Sequence, residues 1–273
     1  MCFASQAAVR LALPVGLLLG AAGIRADVEI TQLGNSGALI SDGETRIVID
    51  AMVVEPYAIY AGLPPQAAQD FARLTGPFAD IALVLASHRH HDHNQPAFAC
   101  DFMQKSSTSR LVTSAEVIGL MREKCRTFMT TSPRVEAIDP QPGRPVVVQQ
   151  GSARITVFRL SHGKRKYARI ENFAHLIEID GVRLLRIGDA VMDPQAFEDA
   201  GLAGLHVDVA FIPAWFFQPG PGEAVVRAYL DAPLKIAVQV PLDEVAEARA
   251  FLAEKFAEVR LLDPLESIIV AAP

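Results

Sequence analysis

The sequence lacks several features that define large classes of proteins. It contains no internal repeat, no low-complexity tract and no glycine- or serine-rich linker, so we expect one continuous domain. Basic residues are fewer than acidic ones, 25 against 31, and no long basic run occurs, which argues against a nucleic-acid-binding protein. With 51% hydrophobic and 21% charged residues, the 273-residue chain does not have the composition of a disordered, collagen-like or coiled-coil protein.

The sequence also has no uncharged run of the about 20 residues that a bilayer-spanning helix requires. The uncharged stretch LALPVGLLLGAAGI, between Arg10 and Arg25, is shorter and ends in small residues. It resembles a secretory signal peptide with cleavage after Ala26. We therefore predict that residues 1–26 are a signal peptide, that the protein is periplasmic or secreted, and that no stable membrane span remains after cleavage. An uncleaved membrane anchor and an incorrectly assigned start are the alternatives.

Cysteine is scarce, with three in the whole chain, and removal of the signal peptide leaves only Cys100 and Cys125. In an oxidising compartment these two could form a disulfide. Two separate buried thiols are an equally good interpretation, because sequence does not reveal how far apart the two Cα atoms lie. Their spacing does not match a zinc site.

Strand-like runs followed by helical patterns occur twice along the chain. The first block has strands at 28–33, 38–41, 45–50 and 80–86 with helices at 65–74 and 115–124. The second has strands between 145 and 187, followed by alternating strands and helices up to an amphipathic helix predicted at 243–259. This repetition predicts a layered α/β protein with its sheets buried inside.

The residues suited to chemistry are concentrated directly after the strand at 80–86, in the segment Ser87-His88-Arg89-His90-His91-Asp92-His93-Asn94. Four of the seven histidines fall within six positions. Because side chains alternate along an extended segment, His88 and His90 can hold one cation, and after a turn Asp92 and His93 can hold a second. Imidazole and carboxylate are ligands of zinc, and also of non-haem iron and manganese. The alternative is a solvated loop that binds metal opportunistically.

The pattern His88-x-His90-x-Asp92-His93 after an apolar strand resembles the signature of the metallo-β-lactamase-fold hydrolases. Three further segments resemble parts of the same family in the same order: 30–50, the run Leu160-Ser161-His162-Gly163, and the run Arg186-Ile187-Gly188-Asp189-Ala190. The order and spacing are closest to the branch with ascorbate-phosphate lactonase-like and phospholipase D-like members. The resemblance implies an α/β fold, a four-layer αβ/βα sandwich, over residues 27–273.

The resemblance also implies a set of metal ligands. His88, His90 and His162 would hold the first metal, Asp92 and His93 the second, and Asp189 would lie between them, with one or two zinc ions as the cofactor and iron or manganese as substitutes. Gln239 stands where this family usually has a final histidine. Since an amide oxygen is a poorer zinc ligand than imidazole, we expect the second site to be weak.

These residues predict a zinc-dependent hydrolase. A bound metal lowers the pKa of its water from 15.7 to about 7, and the resulting hydroxide would attack an ester, lactone or phosphoester, with Asp92 and Asp189 as catalytic residues. Two alternatives stay open. One is a mononuclear non-haem iron oxidoreductase that uses His88, His162 and Asp189, and the other is a non-catalytic metal-binding protein.

The substrate is predicted only as a small molecule, and the oligomeric state is not predicted. Lys164 and Arg165, with Lys166 and Arg169 close behind them, follow His162 and would favour an anionic substrate if they lie at the rim of the site. The alternative is a solvated hairpin tip. Trp215, the only tryptophan, could wall a substrate pocket or pack against the edge of the core.

Overall fold

The structure is a computed structural model that describes residues 25–163 and 165–273. The predicted signal peptide lies outside the described residues except for its last two positions, and so it stays a prediction. The described chain forms two mixed β-sheets with helices on their outer faces, which confirms the α/β sandwich expected from the sequence.

The first sheet is built mainly from the amino-terminal half of the chain. Its strands are β1 (Val28–Leu33), β2 (Gly37–Ser41), β3 (Arg46–Ile49), β4 (Ile81–Leu85), β5 (Arg110–Thr113), β6 (Val135–Ala137) and β14 (Ser267–Val270). They lie in the order β14-β1-β2-β3-β4-β5-β6. The strands from β3 to β6 are parallel to one another, and the others pair antiparallel.

The second sheet contains the remaining strands: β7 (Val146–Gln150), β8 (Ala153–Arg159), β9 (Phe173–Ile179), β10 (Val182–Arg186), β11 (Val209–Pro213), β12 (Leu234–Val238) and β13 (Val259–Arg260). Their order is β13-β12-β11-β10-β9-β8-β7. The strands β10 to β13 are parallel, whereas β7 to β10 form an antiparallel meander. As a result, β8 runs in the same direction as β10.

The helices are α1 (Pro65–Arg73), α2 (Pro96–Lys105), α3 (Ala115–Thr131), α4 (Pro194–Ala200), α5 (Pro221–Tyr229) and α6 (Val245–Lys255). The predicted helix at 243–259 is shorter in the structure, and within α6 only Leu252 is buried. None of the helices in the described part of the chain is both long enough and apolar enough to cross a membrane.

Alternating apolar side chains let a single strand contribute to two layers. In β4, Leu83 and Leu85 face the core between the two sheets, while Val84 packs beneath α1 and α2, together with Phe71 and Phe102. The second sheet behaves in the same way, and its outer face is covered by α4, α5 and α6. Three apolar cores thus separate four layers, as the two-residue period of a buried strand requires.

Cys100 of α2 and Cys125 of α3 are joined by a disulfide, with their Cα atoms 6.1 Å apart. The bond links two helices that pack on the same face of the first sheet. Of the two interpretations left open by the sequence, the structure therefore selects pairing. A cross-link that closes a loop of this size stabilises a protein by roughly 3 kcal/mol in the chain-entropy model.

A buried histidine that is not part of the histidine tract lies in the core between the sheets. His175 sits in the middle of β9, opposite Arg186 on β10, and is fully buried. Neither of its ring nitrogens has a hydrogen-bond partner within the described residues. Burial lowers the pKa of His175 to about 4, an effect that the Asp50 carboxylate opposes and the Arg186 guanidinium reinforces.

This shift predicts a measurable loss of stability in acid. Between pH 6.5 and pH 4 the unfolded chain protonates His175 and the native chain does not, so the free energy of unfolding falls with pH by up to about 3 kcal/mol from this group alone. We expect His175→Leu, measured by urea unfolding at pH 7.5 and 4.5, to remove this part of the pH dependence. The matched control His206→Leu alters an exposed imidazole and should keep it. Equal pH dependence in the wild type and His175→Leu would contradict the assignment.

Candidate metal centre

The predicted metal ligands meet at one edge of the two sheets, where several strands end. The histidine tract follows β4, His162 follows β8, Asp189 follows β10, and Gln239 follows β12. These strands have their carboxyl ends at the same edge, the position at which α/β proteins commonly bind ligands. The structure therefore brings all six predicted ligands together, although they are separated by up to 101 positions in sequence, from residue 88 to residue 189.

Three imidazoles and one carboxylate form the first cluster. One ligand atom from each of His88, His90, His162 and Asp189 lies within 4.8 Å of the others. His88 Nε2 is 2.9 Å from His90 Nδ1, and His162 Nε2 is 3.3 Å from the same atom. Asp189 Oδ2 lies 3.7 Å from both His88 Nε2 and His162 Nε2. Ligands at 2.0–2.1 Å in a tetrahedral zinc site are roughly 3.3 Å apart, so this donor set fits one such ion.

The second cluster is centred on His93. Its Nε2 atom lies 3.2 Å from Asp189 Oδ1, 3.9 Å from Asp92 Oδ2 and 3.2 Å from the Gln239 amide. The two oxygens of Asp189 thus face different clusters. Gln239 is buried, and its Oε1 atom has no hydrogen-bond partner among the residues that the structure describes. One imidazole among oxygen donors is a less favourable zinc site than the first cluster.

The backbone of Gln239 is strained. Its φ angle is 61°, a left-handed conformation that is uncommon for residues other than glycine. The amide N–H of Gln239 donates to the carbonyl of Asn35 at 3.2 Å, and the Asn35 side chain donates to Asp92 Oδ2 at 3.5 Å. Strain of this kind persists where the surrounding structure enforces it, and it is common at functional sites.

Asp50 contacts the candidate site and was not predicted as part of it. This fully buried carboxylate at the end of β3 accepts hydrogen bonds from the backbone N–H and hydroxyl of Ser87, at 2.7 and 2.9 Å. It also lies 3.1 Å from His93 Nδ1 and 3.0 Å from Arg186 Nε. Its only signal in the sequence is an acidic residue that ends an apolar strand.

These charges change the pKa values of the buried groups. Burial alone would lower the pKa of His93, but the carboxylates of Asp189 and Asp50 outweigh it and raise the pKa to about 10. In return, although burial opposes the effect, His93 holds the pKa values of both carboxyls well below their usual range. Burial lowers the pKa of His88 and of His90, so both imidazoles are neutral at pH 7, as metal ligation requires.

Asn172 and Gly188 position Asp189. The Asn172 side chain donates to the carbonyls of Leu160 and Ile187, and its Oδ1 accepts the backbone N–H of Asp189 at 3.1 Å. Asn172 thus ties the end of β8 to the end of β10. Gly188 has a φ of 57°, and a Cβ there would lie 2.3 Å from Asn172 Oδ1, so only glycine fits this turn.

A cavity of about 540 Å³ opens above the clusters, a size typical of small-molecule sites. Its walls combine ligand candidates with aromatic and apolar side chains: Tyr57, Ile59, Tyr60, His90, Asp92, His162, Gly163, Tyr167, Asp189, Ala190, Met192, Trp215 and Gln239. Tyr167 makes edge-on ring contacts with His90 and His162, at centroid distances of 4.8 and 5.2 Å. From the sequence, Tyr57 and Tyr60 are weak candidates for substrate contact in the loop after Asp50, whereas Tyr167 was not predicted, because loops carry no periodic signal.

The residues predicted to bind substrate have different positions. Trp215 lines the cavity, in agreement with one of its two interpretations. Arg165 is exposed and is not among the lining residues, as expected for a solvated hairpin tip. Lys164 lies outside the described residues.

Comparison with solved structures shows the same fold at low sequence identity. Igni18, a metallo hydrolase from the archaeon Ignicoccus hospitalis, matches with a TM-score of 0.63 and 14% identity over 90% of this chain and 99% of its own. The metallo-β-lactamase-fold protein YhfI from Bacillus subtilis has a TM-score of 0.58 and 15% identity, with coverages of 89% and 99%. CmlA, a diiron β-hydroxylase from Streptomyces venezuelae, has a TM-score of 0.54 and 15% identity, with coverages of 90% and 54%.

No curated protein matches the sequence significantly. A sequence model of one family, described as the beta-lactamase superfamily domain, matches residues 45–249, which is well over half of the chain and includes all the predicted ligands. The narrower likeness to lactonase-like and phospholipase D-like members stays a prediction. The chain belongs to the beta-lactamase superfamily domain family.

Proposed function

We propose that this protein is a metal-dependent hydrolase with one tightly held zinc ion, and that it cleaves an ester, lactone or phosphoester. The observation that carries the proposal is the convergence of His88, His90, His162 and Asp189 at the base of an open cavity. Three imidazole nitrogens and one carboxylate are a ligand set that zinc favours, and the cavity gives a small molecule access to them.

In this proposal the chain's own residues divide the work. His88, His90 and His162 hold the ion, which when bound supplies a Lewis acid and acidifies water. Asp189 orients the attacking water from between the two clusters. Asp92, which lines the cavity and is held by Asn35, accepts the proton of that water and returns it to the leaving group.

Removal of one ligand tests the site directly. We expect His90→Ala to lose its metal and its hydrolytic turnover, because His90 is half-buried and contributes a nitrogen to the first cluster. Loss of metal affinity should exceed the 10- to 100-fold typical of losing an outer partner. The measurements are metal content by mass spectrometry and turnover in a screen of lactones, esters, thioesters, phosphodiesters and β-lactams.

His91→Ala is the matched control, since it removes an exposed imidazole from the same tract that lies outside the cluster. It should keep both metal and turnover. Circular dichroism establishes that both variants are folded. A His90→Ala protein that retains a full ion and turnover would overturn the assignment, and absence of metal-dependent turnover in the wild type would favour the non-catalytic alternative.

A mononuclear iron oxidoreductase is the second candidate. Two observations favour it: Gln239, where the resemblance implies a histidine, contacts His93 in the second cluster, and a diiron hydroxylase shares the fold. Two histidines and one carboxylate are the ligand set of many non-haem iron oxygenases. Metal analysis after expression with zinc or iron supplied, followed by the turnover screen on each form, separates the two candidates.

Gln239 should limit the second cluster to weak binding. We expect the dialysed wild type to retain one ion per chain and Gln239→His to retain two, because imidazole restores a strong zinc ligand next to His93. Native mass spectrometry counts the ions. The control Gln218→His adds an imidazole at an exposed position and should leave one ion. Two tightly held ions in the wild type would contradict this expectation.

We also propose that the protein is exported and processed after Ala26. The disulfide between Cys100 and Cys125 supports this proposal, because such bonds persist in oxidising compartments. Expression of the full chain in a bacterial host should give a periplasmic protein that begins at Asp27 and has no free thiol. Amino-terminal sequencing and thiol titration check this expectation, and a cytoplasmic chain that still begins at Met1 would contradict it.

A further inference from the structure

The tyrosines and the tryptophan of the chain are concentrated at the candidate site. Three of the chain's four tyrosines and its only tryptophan line the 540 Å³ cavity, namely Tyr57, Tyr60, Tyr167 and Trp215. They come from three separate segments of the chain. Such rings offer large flat contact surfaces and favour aromatic or apolar ligands.

Exposed apolar side chains are gathered at the same place. Tyr57, Ile59 and Met192 are 48%, 55% and 38% exposed, and all three line the cavity. Leu242, which is 53% exposed, donates its backbone N–H to the carbonyl of Ile59 beside them. Clustered apolar residues in contact with water commonly mark a binding site, whereas scattered ones do not.

The permanently charged side chains that line the cavity are acidic, among the residues that the structure describes. Among the described residues, its walls include Asp92 and Asp189 but no lysine or arginine. A second cavity of about 580 Å³ shares Tyr60, Trp215 and Gln239 with the first, and it adds two glutamates and again no basic residue among the described ones. Burial raises the pKa of Tyr60, and the nearby carboxylates raise it further, so its hydroxyl stays protonated.

One basic residue, Lys166, contacts a wall residue from outside the cavity. Lys166 Nζ lies 4.6 Å from the centroid of the Tyr167 ring, but Lys166 is exposed and does not line the cavity. Its charge is therefore screened by solvent, whereas the two wall carboxylates are largely buried. An anionic group packed against the aromatic walls, away from the ion, would find no lysine or arginine among the described wall residues to pair with.

We propose that this cavity selects an uncharged ester or lactone whose non-reacting part is an aromatic or bulky apolar group packed against Trp215 and the tyrosines, and that it excludes substrates with an anionic group in that part. The inference rests on the proposed hydrolase function, which it narrows. Of the proposed esters, lactones and phosphoesters, the inference keeps the uncharged esters and lactones. It argues against the anionic substrate that the basic segment after His162 would favour.

Because the chain has a single tryptophan, its fluorescence reports directly on this wall. Two non-ester probes, acetanilide and 4-acetamidobenzenesulfonate, share one ring and amide and differ in a distal sulfonate, which is a weak metal ligand. We expect acetanilide to change the emission of Trp215 in the zinc-loaded protein and to bind at least about tenfold more tightly than the sulfonate. The corresponding esters, phenyl acetate and 4-acetoxybenzenesulfonate, should show the same preference in kcat/KM.

Ile59→Lys introduces a positive charge at the rim, at a position exposed enough to tolerate it. This variant should bind acetanilide more weakly and the sulfonate more tightly. Ile269→Lys makes the same substitution at a 71% exposed position on β14, outside the cavity, and should leave both affinities unchanged.

Equal or tighter binding of the sulfonate, or no response of Trp215 to acetanilide, would overturn the inference. Faster hydrolysis of the anionic ester than of the neutral one would also overturn it while leaving the hydrolase proposal intact. Selective binding of acetanilide without hydrolysis of any ester would instead refute the hydrolase proposal and retain the selectivity of the cavity, so the two failures are distinguishable.

Discussion

The rest of the site depends on the contacts made by the buried carboxylate of Asp50. It joins the first sheet to the second through Arg186, and it holds the start of the histidine tract through Ser87. Through His93 Nδ1 it also fixes which nitrogen of that ring faces the second cluster. An isolated buried charge is costly, so the carboxylate is stable there only because four hydrogen-bond or ion-pair donors surround it. The sheets and the site are therefore stabilised by the same contacts.

Asp189 extends this coupling, because its two oxygens face two clusters of unequal ligand quality. The first cluster has three imidazoles, and the second has one imidazole beside the amide of Gln239. The asymmetry follows from one side chain at the end of β12, which occupies a strained backbone conformation. Family membership alone therefore does not fix the number of ions or the reaction, and the same fold accommodates hydrolases and a diiron hydroxylase.

How much the sequence predicts depends on how local each signal is. The histidine tract could be identified because its ligands are adjacent and follow an apolar strand. His162 and Asp189 could be placed only through their resemblance to family motifs, since nothing local shows that β8 and β10 end beside β4. The pairing of Cys100 with Cys125 depends on a Cα distance that no spacing specifies. The predicted helix at 243–259 was too long, because the apolar recurrence continues beyond the end of α6. Within α6 itself, only Leu252 is buried.

The same distinction explains why the floor of the cavity was predicted more fully than its walls, of which Trp215 was expected only as one of two interpretations. Metal ligands must be held in a strict geometry, and in this chain they directly follow the ends of strands. Hydrophobic periodicity in the sequence reveals where those strands end. The tyrosines and Met192 come from irregular segments that no period describes, and their proximity arises only after the sheets position the loops. Reaction chemistry is thus encoded in short motifs on rigid strands, whereas substrate selection is encoded in the tertiary arrangement of loops. For this chain, we therefore expect the side chains of the cavity walls, and not the shared fold, to determine which substrate binds.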